Sequence, residues 1–241
     1  MGAIQRALAV IYPHQCLLCD AQVGAQGALC PACWSETPFL SGHNCDTCAA
    51  PLPGESDGVA DQCDACLADA PPWEKGRAAF RYAGTGRRIV LKLKHGDRTD
   101  LARPAALWMS QAGTDVLSGA PLLIPVPIHW SRRIKRRYNQ SAEIVGALAG
   151  QTRCPTLPDA LRRVRSTRAQ ADMDRATRSE NQIGSMEVTP GRRNEVSGRD
   201  ILLVDDVVTT GATLVEACRV LHAAGARRIS FLVLARAAPR P

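Results

Sequence analysis

The chain has 241 residues, 45% of them apolar and 4% aromatic, and a formal net charge of +7. The apolar share supports a folded core, the charge favours an anionic partner, and the scarcity of aromatics argues against a strand binder built on stacked rings. No apolar run approaches the roughly 18 residues of a membrane helix, and the run at 7–12 is too short for a signal-peptide core, so the chain is expected in the cytoplasm without membrane insertion. Residues 4–11 are expected to form a short helix with Ile4, Leu8 and Ile11 on one face.

Eight of the ten cysteines fall in four Cys-x-x-Cys pairs: Cys16 and Cys19, Cys30 and Cys33, Cys45 and Cys48, Cys63 and Cys66. Ten residues separate the first two pairs and fourteen the last two. Each pair aims two thiolates at one point, and two pairs complete a tetrahedral Zn2+ shell with bonds of about 2.3 Å. The spacing predicts two structural zinc sites, closed to water and therefore inert, in a segment too poor in large apolar residues to fold without metal. Sequential pairing and a crossed arrangement both satisfy it. His43 reads as an exposed loop histidine, because the thiolate count is already complete.

Pro71 and Pro72 mark a linker, which divides the chain into 1–72 and 73–241. Residues 77–82 read as a strand, Gly84-x-Gly86 as a turn, and 89–93 as helical. Lys92, Lys94 and His95 read as well as a solvated basic face as a ligand site. A helix is expected over 101–112 and a buried parallel strand over 122–126, ending at Pro125-Val126-Pro127. The next loop carries Arg132, Arg133, Lys135, Arg136 and Arg137 up to a helix over 142–149. Five cations beside a helix start suit a polyanion, since unpaired helical N–H groups add positive charge there. Residues 162–187 are polar and arginine-rich, as expected of a lid that closes over an anion.

Residues 201–204 form a continuous apolar run, the mark of a central parallel strand, and Asp205 and Asp206 follow at its carboxyl end. Thr209-Thr210-Gly211-Ala212-Thr213 then leads into a helix over 214–224 and a second apolar strand over 229–234. Backbone N–H groups of such a small-residue turn can surround a terminal phosphate, with threonine hydroxyls as further donors and Gly211 permitting close approach. The two carboxylates are better suited to accept hydrogen bonds from vicinal ribose hydroxyls. The pattern specifies a sugar phosphate, and no nucleoside-triphosphate P-loop occurs.

The stretch 204–213, Val-Asp-Asp-Val-Val-Thr-Thr-Gly-Ala-Thr, resembles the phosphoribosyl-pyrophosphate (PRPP) motif of type I phosphoribosyltransferases. With the cysteine module in front, the Pro-Val-Pro strand end, and Arg136-x-Tyr138-Asn139-Gln140-Ser141, the resemblance narrows to the ComF family and covers almost the whole chain. It implies an α/β fold of the type I phosphoribosyltransferase kind, with a central parallel sheet, preceded by a small double zinc ribbon. Asp205 and Asp206 would hold the ribose hydroxyls with Mg2+, and Val208, Thr209, Thr210, Gly211, Ala212 and Thr213 would wrap the 5-phosphate. Arg136, Arg137, Asn139 and Gln140 would approach the pyrophosphate, and Thr167, Gln170, Arg178 and Asn181 would belong to the lid. Arg137-Tyr138 stands where the family more commonly has Gly-Phe, and Met173 replaces a usual leucine.

Two functions follow from the resemblance. One is a Mg2+-dependent transferase moving phosphoribosyl from PRPP, or a related ribose 5-phosphate compound, to an acceptor. The other is a non-catalytic accessory factor in DNA uptake that binds single-stranded DNA and other competence proteins. Either admits a homodimer.

Overall fold

The computed structural model describes residues 13–56, 58, 61–95, 99–128, 139–165 and 182–238. The N-terminal helix expected over 4–11 lies outside them. Two short helices close the cysteine loops, α1 (Pro31–Ser35) and α2 (Asp64–Ala68), each opened by a cysteine at its N-cap, Cys30 and Cys63. A metal-ligating residue thus doubles as the helix start. Cys30 also accepts a bond from the Cys33 amide, which serves one of the orphan N–H groups of α1.

After the linker come β1 (Gly76–Arg81), α3 (Gly84–His95), a 3-10 turn (Thr99–Leu101), α4 (Ala102–Ala112), α5 (Thr114–Leu117) and β2 (Leu122–Pro125). Then follow α6 (Gln140–Thr152), β3 (Leu161–Arg163), β4 (Met186–Val188), α7 (Arg193–Val196), β5 (Asp200–Val208), α8 (Ala212–Ala223) and β6 (Arg228–Arg236). The main sheet is parallel throughout, in the order β1-β6-β5-β2. In β5 the alternation of the apolar run splits between two layers: Leu202 and Val204 join Ile89, Leu93, Trp108, Ile144 and Leu148, while Ile201 and Leu203 join Leu214, Leu221 and Phe231. A strand buried on both faces needs that unbroken apolar sequence.

Three expectations are corrected. Gly84-x-Gly86 is the first turn of α3, not a loop: a Cβ at Gly86 would lie 2.5 Å from the Arg81 carbonyl oxygen and 2.7 Å from the Phe80 ring, so close packing and not turn geometry requires the glycine. The apolar strand runs on through Asp205 and Asp206 to Val208, because β6 is long enough to pair with it over that whole length. The polar stretch 162–187 is bounded by structure at both ends, β3 and β4 pairing antiparallel with Arg163 opposite Met186.

The packing also crosses residue 72. Cys16, Leu17, Leu18, Cys30 and Cys33 of the first cysteine loop belong to the same buried cluster as α3, α4 and α6. Lys92 Nζ donates to the Leu17 carbonyl at 3.2 Å and Arg88 Nη2 to the Leu18 carbonyl at 3.3 Å, so part of the basic face of α3 caps that loop.

Candidate functional site

The eight paired cysteines gather sequentially, Cys16, Cys19, Cys30 and Cys33 in one group and Cys45, Cys48, Cys63 and Cys66 in the other. The crossed arrangement is not formed. Sulfur–sulfur separations are 3.6 Å for Cys19 and Cys30, 3.7 Å for Cys19 and Cys33, and 3.7 Å for Cys48 and Cys63. A tetrahedron with Zn–S bonds of about 2.3 Å has an edge of about 3.8 Å, so both cages have the size the metal demands. Backbone amides point at the sulfurs: Cys30 N–H donates to Cys16 Sγ at 3.3 Å and Cys63 N–H to Cys45 Sγ at 3.3 Å.

These amides shape the acidity of the free thiols. Burial raises the Cys16 thiol, but the amides of Cys30, Leu18 and Cys19 outweigh it and bring it down to about 6. The hydrogen bond with Cys48, working against burial, and the amides of Cys63, Cys48 and Thr47 bring Cys45 down to about 4. Burial and the neighbouring thiols push Cys33 and Cys66 up to about 12. Each cage therefore must shed protons to take a metal. His43 is not an exposed loop residue: its Nε2 lies 2.7 Å from Asp61 Oδ2 and its Nδ1 3.0 Å from the Pro53 carbonyl, which ties the two ends of the second loop together.

The second centre lies at the carboxyl ends of β2 and β5. Their register, Pro125 beside Val204, brings the Pro125-Val126-Pro127 exit next to Asp205, and the Val126 amide donates to the Val204 carbonyl at 2.9 Å. Asn139 caps α6 by accepting from the Ser141 amide at 3.1 Å and donates to the Val126 carbonyl at 3.3 Å. That fixes Ser141, whose hydroxyl donates to Asp205 Oδ1 at 2.8 Å. Asp206 instead pairs with Lys94 Nζ at 3.1 Å, so the two carboxylates have different partners. Burial, and then the Asp206 charge, push the Asp205 carboxyl up to about 7, against the bonds from Ser141 and the Asp206 amide and the charge of Lys94.

Beyond Val208, Gly211 takes a left-handed φ of 82° and serves as N-cap of α8 with no side chain of its own. The first-turn N–H groups of that helix have no intrahelical acceptors, and Thr209, Thr210 and Thr213 around them are partly exposed. Val208 is buried in the core, and its carbonyl accepts from the Ala237 amide at 2.9 Å, so it supports the turn from below. Gln140 is buried at the start of α6 beside Ser141, and its amide nitrogen has no partner among the described residues. Arg136, Arg137, Thr167, Gln170, Arg178 and Asn181 lie outside the described residues. The two ends of the polar stretch are described: Arg163 donates to the Pro127 carbonyl at 2.7 Å and to Gln182 Oε1 at 3.0 Å, and the buried Glu216 accepts from the Gly184 amide at 2.8 Å.

Sequence reasoning missed two residues under this turn. Trp73 donates from Nε1 to the Thr47 carbonyl at 2.7 Å and meets Phe231 edge-on with ring centroids 5.3 Å apart. Arg236 donates from Nη1 to the carbonyl of Thr209. Both carried a signal: a lone large aromatic beside two prolines, and a charge closing an otherwise apolar strand.

A double zinc ribbon domain matches residues 7–75 and a phosphoribosyl transferase domain matches 140–240. Competence protein F of Haemophilus influenzae is 30% identical over 233 residues, 94% of this chain and 98% of that protein. DNA utilization protein YhgH of Salmonella typhi is 30% identical over 230 residues, 92% of this chain and 89% of its own. Competence protein ComFC of Bacillus subtilis is 22% identical over 238 residues, 92% of this chain and 94% of its own. A double zinc ribbon with two four-cysteine cages, a parallel sheet ending in the Asp205–Thr213 turn, and relatives matched from end to end place this chain in the ComF family.

Proposed function

We propose that this chain binds PRPP at the β5–α8 turn and transfers its phosphoribosyl group to a nitrogen acceptor. The observation that carries the reading is the Asp205 carboxylate, held by Ser141 at the strand end beside a Gly211-led helix start. The 5-phosphate would rest on the amides of 209–213, and Asp205 and Asp206 would accept from the ribose hydroxyls. The acceptor nitrogen would attack the anomeric carbon as the bond to pyrophosphate breaks, through a cationic, oxocarbenium-like state. Two adjacent carboxylates, the charge of Asp206 raising the proton affinity of Asp205, fit a hard divalent cation, and Mg2+ would stabilise the charge on the departing pyrophosphate. Closure of the expected lid would exclude the water that otherwise attacks the anomeric carbon.

The test is pyrophosphate release from PRPP and Mg2+ with a panel of bases and amines. Acceptor-dependent release that vanishes in Asp205→Asn with Asp206→Asn is the expected result. Two observations favour a second reading, an accessory factor that binds single-stranded DNA: the net charge of +7 and the DNA utilization named for the YhgH relatives. Absence of release together with tight, salt-dependent DNA binding would decide for that reading.

Acidity gives a further check. Affinity for ribose 5-phosphate should fall as pH drops through about 7, where Asp205 loses its charge. The phosphate itself titrates at about pH 6, so the Asp205→Asn variant, which keeps only that second loss, isolates the carboxylate. An acid whose pKa is raised on folding costs stability once ionised and costs none below its unfolded value. The same variant should therefore melt higher at pH 8, by about 2–4 °C, and be unchanged at pH 4.

A further inference from the structure

The second cysteine cage and the phosphate turn are joined by one side chain. The Thr47 carbonyl, inside the Cys45–Cys48 knuckle, takes the indole N–H of Trp73 at 2.7 Å. The other end of that ring backs the phosphate turn: a Cβ at Gly211 would sit 3.1 Å from Trp73 Cη2. Phe231, buried in the core, holds the ring edge-on, so the indole cannot slide away from either contact. A second strut runs alongside, the Arg236 guanidinium donating to the carbonyl of Thr209 from the end of β6. The knuckle is anchored by Gly76 N–H, which donates to the Asp46 carbonyl at 2.8 Å, and by Arg77, which donates to the same carbonyl at 3.0 Å.

An indole N–H that leaves water needs its acceptor, so the position of the Thr47 carbonyl sets the position of the ring. Without a side chain of its own at 211, the turn takes its backing from that ring. What fixes the knuckle therefore fixes the floor of the turn. Gly76 and Arg77 hold the knuckle from one side, and four sulfurs around one metal would fix it from the other.

We propose that Trp73 is a positioning residue that couples the second metal site to the phosphate turn, so that a sugar phosphate in the turn and the metal between Cys45, Cys48, Cys63 and Cys66 hold each other in place. The inference rests on the reading of the turn as a ribose 5-phosphate site. Thermodynamic reciprocity gives it a measurable form: if the metal raises the affinity of the turn for its ligand, a ligand in the turn must raise the affinity for the metal by the same factor. The first cage has no such link through Trp73 and serves as the internal control.

The experiment uses the full chain loaded with zinc at both sites, ribose 5-phosphate as a weakly chelating probe, and a chromophoric chelator to follow metal release. At equilibrium with the chelator, saturating ribose 5-phosphate should raise the affinity of one zinc site by about fivefold or more and leave the other unchanged. Trp73→Phe keeps a ring but loses the bond to Thr47, and in it the gain should disappear while calorimetry still detects the sugar. Binding without any change in zinc affinity overturns the inference and leaves the sugar-phosphate site standing. A gain that persists in Trp73→Phe also overturns it. Absence of binding removes the site and the inference together. Should the variant not fold, the indole N–H resonance of Trp73 in the native chain decides: it should shift on adding ribose 5-phosphate and on removing zinc, and a resonance indifferent to the sugar refutes the link.

Discussion

The two zinc ribbons have the same ligands and are attached in different ways. The first puts Leu17, Leu18 and three of its cysteines into the main core, beside Leu93, Trp108 and Ile144. The second keeps a small cluster of its own, Cys45, Cys48, Ala50 and Cys66, sends Ala49 into the core, and otherwise meets the rest of the molecule through hydrogen bonds and ions. Arg77 is the centre of that attachment, reaching Asp46 at 2.5 Å and Asp115 at 2.8 Å. Apolar attachment makes a ribbon part of the stability of the whole; polar attachment lets it bear on one place.

The largest test of this contrast removes one ligand from each cage. Cys30→Ser should abolish the cooperative melt of the entire chain, because structural zinc contributes on the order of 10 kcal/mol to folding and this site lies in the shared core. Cys63→Ser should leave a cooperative transition and expose only the second ribbon to protease. Equal melts for the two variants would break the comparison. Leu18→Ala, at a site 5% exposed, should cost about 2–5 kcal/mol by leaving a cavity in that core, read from denaturant midpoints. Arg77→Ala should cost about 1 kcal/mol, since its ion pairs are partly exposed, but should speed zinc loss from the second cage more than from the first. Asp200→Ala removes pairs to Arg227 and Arg228, whose side chains are mostly exposed, and should cost under about 1 kcal/mol. Bonds first from Arg228 and then from Arg227 hold the Asp200 carboxyl well below its usual range. Its contribution is therefore present above about pH 4 and fades as pH falls further, so the variant and the parent should converge in acid.

The cages and the β5–α8 turn were legible because each depends on residues close together in sequence. A Cys-x-x-Cys knuckle and an Asp-Asp strand end followed by Thr-Thr-Gly declare their chemistry locally. Pairing of the cages was not legible, since 16–33 could have met 45–66 at the same spacing, and only the three-dimensional path excludes it. Trp73 escaped for a similar reason: its partners Thr47, Gly211 and Phe231 lie 26, 138 and 158 positions away in the chain. Gly84-x-Gly86 misled because glycine marks both a bend and a tight contact, and here the Phe80 ring decides between them. Lys94 was read as equally a solvent-facing cation, and its ion pair with Asp206 depends on how α3 lies against β5.

The position of β1 has a consequence for synthesis. Its neighbour in the sheet is β6, which the ribosome makes after the other strands of that sheet. The second ribbon, self-contained around its cage, can close as soon as it leaves the exit tunnel, whereas the first must wait for residues 89–109 before Leu17 and Leu18 have anything to cover them. Even then β1 stays an open template until residues 228–236 emerge. A nascent chain halted before that point would carry a sealed knuckle and an unpaired strand side by side, which marks a stalled ribosome as the setting where this protein is most prone to misassemble.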